Sequence, residues 1–262
     1  MINGLRPLDR TLRWGMVGGG GSSQIGYIHR SAALRDNTFA LLAGAFDIDA
    51  DRGRQFGQQL GVDPARCYAD YQSLFRGEAA RPDGIQAVSI ATPNNTHYAI
   101  CRAALEAGLH VVCEKPLCFS SDDNGAVGSL WSSAVNCGSM HGQKVRIVGE
   151  KASLEWWDEQ PNQLRYEVQG EPARVLERGM GYLDPLARQD DRIGGGHPEG
   201  LFDAWSNLYR RFAIAMDAAD RRDEALLADF WYPDARAGAF GVRWVENCVR
   251  SADNGACWVN FR

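Results

Sequence analysis

No apolar run in this chain approaches the ~18 residues needed to cross a bilayer. Its opening residues, Met-Ile-Asn-Gly-Leu-Arg-Pro, hold no apolar signal core. Long basic stretches are missing as well, and the net charge is −5, so nucleic acid is a poor partner. The cysteines lie at Cys67, Cys101, Cys113, Cys118, Cys137, Cys248 and Cys257, with no Cys-x-x-Cys and no Cys/His group at zinc spacing. Seven is an odd number, which argues against a fully paired disulfide framework. Cys101 in a helix and Cys113 in a strand read instead as packed thiols. Repeats, low-complexity tracts and coiled-coil heptads are also lacking. These absences leave a cytoplasmic protein with no membrane and no metal as the expectation. Its 262 residues suffice for one large or two modest domains.

The first half alternates strands with helices. Arg13–Gly18, Phe39–Phe46, Ala87–Ala91 and His110–Cys113 are short, nearly continuous apolar runs, as strands buried on both faces should be. Between them, Gln24–Leu34, Asp51–Leu60, Tyr71–Phe75 and a stretch from an N-capping Thr96 to Ala107 read as helices. This alternation predicts parallel βαβ units, with a ligand outside the carboxyl ends of the strands.

The first of those ends carries Gly18-Gly19-Gly20-Gly21-Ser22-Ser23-Gln24-Ile25-Gly26. Glycines there permit positive φ and let a pyrophosphate approach the backbone. The following helix offers unpaired N–H groups and a partial positive charge. Gly18, Gly20 and Gly26 fill the three glycine roles of a dinucleotide turn; the spacing is longer than standard, which leaves Ser23 as an alternative for the third. Asp47 follows Gly26 by 21 residues at the end of the second strand, where a carboxylate accepts ribose hydroxyls. It would repel a 2′-phosphate, so NAD is favoured over NADP, with Arg52 close enough to keep NADP open.

At Ala91-Thr92-Pro93-Asn94-Asn95-Thr96-His97 and at Gly108-Leu109-His110-Val111-Val112-Cys113-Glu114-Lys115-Pro116-Leu117, the chain resembles the Gfo/Idh/MocA oxidoreductases, the glucose–fructose oxidoreductase and inositol dehydrogenase family. The resemblance covers roughly residues 10–120 and resumes over most of the remainder. It implies an α/β fold: a Rossmann-type parallel sheet followed by an α+β domain with an antiparallel sheet. It implies hydride transfer between nicotinamide and a sugar- or polyol-like hydroxyl. Thr92, Pro93 and Asn94 would line the cofactor, with Ile25 at the helix start. Glu114 would help seat it, Lys115 would reach the substrate hydroxyl, and Pro116 would follow a cis bond. His97 either touches the ligand or is a partly exposed helix-start histidine.

One family block is missing. No Asp-x-Gly-x-x-x-His follows the Glu-Lys-Pro triplet, and the chain runs from Asp123 straight into strand-like sequence. The absent segment is on the order of a hundred residues, the size of a small domain. The sequence therefore divides into a dinucleotide-binding region, 1–123, whose last strand is lacking, and a shortened region, 124–262. The latter predicts strands at Val127–Val135, Val145–Ile147, Leu154–Trp157, Leu164–Val168 and Ala173–Glu177, a sheet whose aromatics suit a core or the interface of a homo-oligomer. Two helical stripes follow, Leu201/Trp205/Leu208/Phe212/Met216 and Ala237/Phe240/Trp244/Val245/Cys248. Pro198 is placed in the first turn of the former, and Cys257, Val259 and Phe261 in a last strand. His197, in Gly-His-Pro-Glu-Gly, either takes over proton transfer or is a structural loop histidine. Three readings stay open: an NAD(P)-dependent oxidoreductase with Lys115 as its best remaining catalytic group, a non-catalytic dinucleotide-binding or assembly protein, and a poorly folding deletion product with an unpaired sheet edge.

Overall fold

The structure is a computed structural model that describes residues 7–115, 128–133, 137–138 and 140–260. The described residues form two compact units, one drawn from 7–130 and 208–260, the other from 131–207. Packing thus divides the chain differently from the sequence boundary at 123/124.

In the larger unit, β1 (Leu12–Gly18), β2 (Phe39–Ala45), β3 (Ala87–Ala91) and β4 (His110–Cys113) form one parallel sheet in the order β2-β1-β3-β4. Helices α1 (Gln24–Leu34), α2 (Ala50–Gln59), α3 (Tyr71–Ala79) and α4 (His97–Glu106) connect them. Side chains from Ser23, Asp49 and Asp70 cap the first three helices by accepting the amide hydrogens of Gly26, Asp51 with Arg52, and Ser73. Thr96 does not cap α4. Its hydroxyl turns back to the Pro93 carbonyl and the Thr92 hydroxyl, both at 2.7 Å. Val17, Ala43, Val88, Ile90, Leu74, Phe75 and Ile100 make up the core between sheet and helices. Among the described residues, β4 pairs only with β3, so its outer edge carries no strand.

The smaller unit holds an antiparallel meander: β5 (Lys144–Val148), β6 (Ala152–Trp157), β7 (Gln163–Val168) and β8 (Arg174–Glu177). Registers of Val145 with Trp156, Trp156 with Leu164 and Leu164 with Leu176 put these side chains on one face. A short helix, α5 (Pro185–Arg188), follows. The strand expected at 127–135 is not formed over 128–133, and its remaining residues and Pro116 lie outside the described residues.

Helix α6 (Leu201–Arg221) begins beyond Pro198. Glu199 is the reason: its carboxylate accepts the amide hydrogens of Arg192 and Ile193 and pairs with Arg178, which holds this segment as a loop. The buried face of α6 is Ser206, Tyr209, Ala213 and Met216, one position on from most of the expected stripe. Its second half packs in the larger unit, where Arg10 pairs with Asp217 and Asp220, and His110 with Asp220. Two helices remain, α7 (Glu224–Asp229) and α8 (Ala235–Asp253). Residues 257–260 form no strand, and Phe261 lies outside the described residues. No described helix is long and apolar enough to cross a membrane.

Candidate active site

The strand registers assemble the site. Val17 pairs with Ala45, Gly18 with Ala91, and Ile90 with Cys113. Carrying each register just past its last pair puts Asp47, Gly19, Thr92 and Lys115 in one row across the carboxyl edge of the sheet. With ~4.8 Å between neighbouring strands, that row spans about 14 Å.

The glycine turn between β1 and α1 is closely built. Gly18 and Gly19 have φ of +74° and +71°, which side-chain-bearing residues rarely adopt. A Cβ on Gly26 would lie 2.2 Å from the Gly19 carbonyl oxygen, so Gly26 takes the third glycine role and lets α1 press on the turn. Ser23 serves instead as the helix cap, its Oγ accepting from the Gly26 amide at 3.1 Å. Gly20 has an internal reason to be glycine: its amide donates to the Phe46 carbonyl at 3.0 Å, and a Cβ there would meet that same oxygen. The Gln24 and Ile25 amides are then the helix-start donors that capping leaves over. Arg30, buried and stacked over Phe56, donates to the Gly19 carbonyl at 2.6 Å and fixes the turn from beneath; its position in α1 gave no local signal of this.

At the next strand end, Asp47 accepts from Arg52 Nη2 at 2.8 Å and from the Asp49 amide at 2.9 Å. The Arg52 hydrogen bond is the main cause that holds the Asp47 carboxyl below its ordinary range. After β3, Pro93 and Asn94 are exposed at the start of a short 3-10 turn. His97 is buried, and its Nε2–H donates to the Thr92 carbonyl at 2.9 Å. It braces the turn from inside, which corrects the expectation of partial exposure.

After β4 the Glu114 amide donates to the Ile90 carbonyl at 3.1 Å, extending the ladder by one residue. The Glu114 side chain is buried. Burial pushes its carboxyl upward, but the hydrogen bond from His29, with Lys115 beside it, outweighs that and lowers it. Lys115 is exposed, and it is one of three lysines in the chain, with Lys144 and Lys151. His197 lies in the smaller unit. It is exposed, and its carbonyl accepts from Arg178 Nη2 at 2.5 Å. Arg178 also pairs with Asp191 and Glu199, so this one guanidinium ties the whole loop.

These features fit a dinucleotide. A turn stripped of side chains faces helix-start amides, a carboxylate stands one strand to one side, and an ammonium stands two strands to the other.

Comparison with known proteins agrees. Residues 12–136 match the oxidoreductase family with an NAD-binding Rossmann fold, and residues 123–261 match its C-terminal α/β domain. An uncharacterised oxidoreductase of Bacillus subtilis, YfiI, is 41% identical, with all of both chains covered. That alignment runs over 392 positions, 130 more than the 262 residues here, so at least that many positions of the relative have no counterpart in this chain. An inositol dehydrogenase homologue from Azotobacter vinelandii complexed with NAD+ superposes with a TM-score of 0.93 at 47% identity, over 100% of both chains. The same organism's homologue complexed with NADH and myo-inositol gives 0.92 at 48% identity, covering 99% of this chain and 100% of that one. With both family domains matched, the chain belongs to this oxidoreductase family, whose amino-terminal domain is an NAD-binding Rossmann fold.

Proposed function

We propose that the chain is an NAD-dependent dehydrogenase that oxidises a secondary hydroxyl of a cyclic polyol of the inositol kind. The row Asp47, Gly19, Thr92 and Lys115 along one sheet edge carries the reading. The likeness to a homologue complexed with NADH and myo-inositol supports the substrate class.

Each residue has a defined task. Asp47 accepts the adenosine ribose hydroxyls and disfavours a 2′-phosphate. The Gln24 and Ile25 amides, at the positive end of α1, hold the diphosphate. Thr92, Pro93 and Asn94 line the nicotinamide side. When bound, the nicotinamide supplies the hydride acceptor. Lys115 donates a hydrogen bond to the substrate oxygen and stabilises alkoxide charge as the hydroxyl proton leaves.

The shortening favours a second reading, a dinucleotide-binding protein without efficient turnover. Loss of general acid–base help costs roughly 10²–10⁴-fold in rate. One experiment separates the two. NAD and NADP are titrated by thermal shift, and NADH absorbance is then followed with myo-inositol and a polyol panel. The dehydrogenase reading expects a larger shift with NAD, NADH formation, and loss of turnover but not of NAD binding in Lys115→Met. A shift with no NADH from any polyol supports the binder. No shift with either coenzyme sinks both.

A further inference from the structure

His29 was not a candidate in the sequence, yet it lies at the centre of a buried polar chain that ends next to Lys115. The Trp14 indole Nε1–H donates to Ser89 Oγ at 2.9 Å. Ser89 Oγ lies 2.7 Å from the Tyr209 hydroxyl, which lies 2.6 Å from His29 Nδ1. His29 Nε2 lies 3.1 Å from Glu114 Oε1. Trp14, Ser89, Tyr209 and His29 are each at most 1% exposed, so the chain is closed off from bulk solvent.

The Glu114 end sets its direction. An indole can only donate, and an ionised carboxylate can only accept, so Trp14 donates to Ser89 and His29 donates from Nε2 to Glu114. A neutral His29 ring with its hydrogen on Nε2 can only accept at Nδ1, so Tyr209 donates there and, its hydrogen spent, accepts from Ser89. In this arrangement each hydroxyl both gives and receives once. Tyr209 is also packed edge-on to Trp14, Phe39 and His29, which restricts its ring.

We propose that His29 is the positioning residue of the Glu114-Lys115 pair, donating from Nε2 to hold the Glu114 carboxylate and so fixing where Lys115 leaves β4. Glu114 is then anchored twice, by its amide to Ile90 and by its side chain to His29. Lys115 has a rigid starting point directly after it. The inference rests on the proposed role of Lys115 for its catalytic consequence, but the hydrogen-bond chain stands without it.

The test combines nuclear magnetic resonance of the His29 ring nitrogens with kinetics on three variants. The wild type should show hydrogen on Nε2 of His29. His29→Leu removes the donor, His29→Gln restores one, and Tyr209→Phe cuts the chain upstream at nearly constant volume. Folding is checked by cooperative melting and NAD binding by NADH fluorescence. His29→Leu should lower kcat with myo-inositol roughly 10- to 100-fold, the equivalent of one charge-assisted hydrogen bond. KM and the NADH Kd should change less than about threefold, because a positioning loss falls on the transition state rather than on ground-state binding. His29→Gln should recover most of the loss. If His29→Leu does not fold, Tyr209→Phe must lower kcat while hydrogen stays on Nε2 facing Glu114. A bare Nε2 in the wild type, or folded variants with undiminished kcat, overturns the inference. If the wild type has no turnover, or Lys115→Met retains it, the role of Lys115 fails instead. The ring-nitrogen result then decides alone, Nε2–H supporting the positioning of Glu114 and a bare Nε2 overturning it.

Discussion

Arg52 grips Asp47 through two nitrogens, Nη2 at 2.8 Å and Nε at 3.3 Å, at the end of β2. The guanidinium that could have welcomed a 2′-phosphate is engaged with the carboxylate that repels one. Asp47→Ala should therefore weaken NAD binding by about 10- to 100-fold, the value of hydrogen bonds to a charged acceptor, and narrow the preference over NADP. Parallel NADH and NADPH fluorescence titrations would measure both. The pH dependence has a defined sign. Because the folded-state carboxyl is lowered, its contribution is fully present above the ordinary aspartate pKa of about 3.9 and lost as pH falls through the lower folded value. NAD affinity should be flat from pH 8 to 5.

Gly26 cannot accept a side chain without moving backbone. Gly26→Ala should destabilise the protein by about 1–3 kcal/mol, an overpacking cost, and should weaken coenzyme binding further because the Gly19 carbonyl has to shift. Thermal melts with and without NAD test this, and a variant whose coenzyme-induced shift matches the wild type would remove Gly26 from the turn.

The same unit holds a buried ion pair. Arg66 pairs with Glu78, whose carboxylate also accepts from the Tyr68 hydroxyl at 2.9 Å and the Ile85 amide at 3.1 Å. Burial, followed by the contact with Glu78, pushes the Tyr68 phenol up to about 12. Arg66→Met leaves Glu78 buried without its cation and should cost about 3–5 kcal/mol in urea unfolding. The Tyr68 phenol should ionise near its ordinary pKa of about 10 only if this cluster is broken, which ultraviolet titration would show.

Arg178→Ala should free the loop that carries His197. Asp191 and Glu199 lose their shared cation, and the His197 carbonyl loses its donor. Hydrogen exchange across residues 190–200 should accelerate at least tenfold, while β1–β4 exchange as before.

Much of the larger unit was legible because parallel strands buried on both faces leave continuous apolar runs. Those runs end at Gly18, Asp47, Thr92 and Lys115 or within two residues of them, so the row along the sheet edge could be read from one sequence. What was hidden depends on contacts that no local pattern reports. His29 sits in an ordinary helix, and its partners Glu114 and Tyr209 are 85 and 180 residues away. The phase of α6 was misread because its buried face uses Ser206 and Ala213, small residues that a search for large apolar side chains overlooks. His97 was misread because a histidine can be buried cheaply once a carbonyl, here that of Thr92, accepts its N–H. Cys257 and Val259 alternate like a strand, but among the described residues no strand pairs with them.

Tyr209 closes the core against Trp14 and Ser89, yet it follows Ser89 by 120 residues. On a ribosome adding ~5–20 residues per second, roughly 6–24 s pass between the two. Through that interval the nascent amino-terminal sheet waits with the Trp14 and Phe39 rings unsealed. Its maturation is therefore tied to completion of the chain's last third, and stalled or prematurely terminated translation products would be natural clients for chaperones.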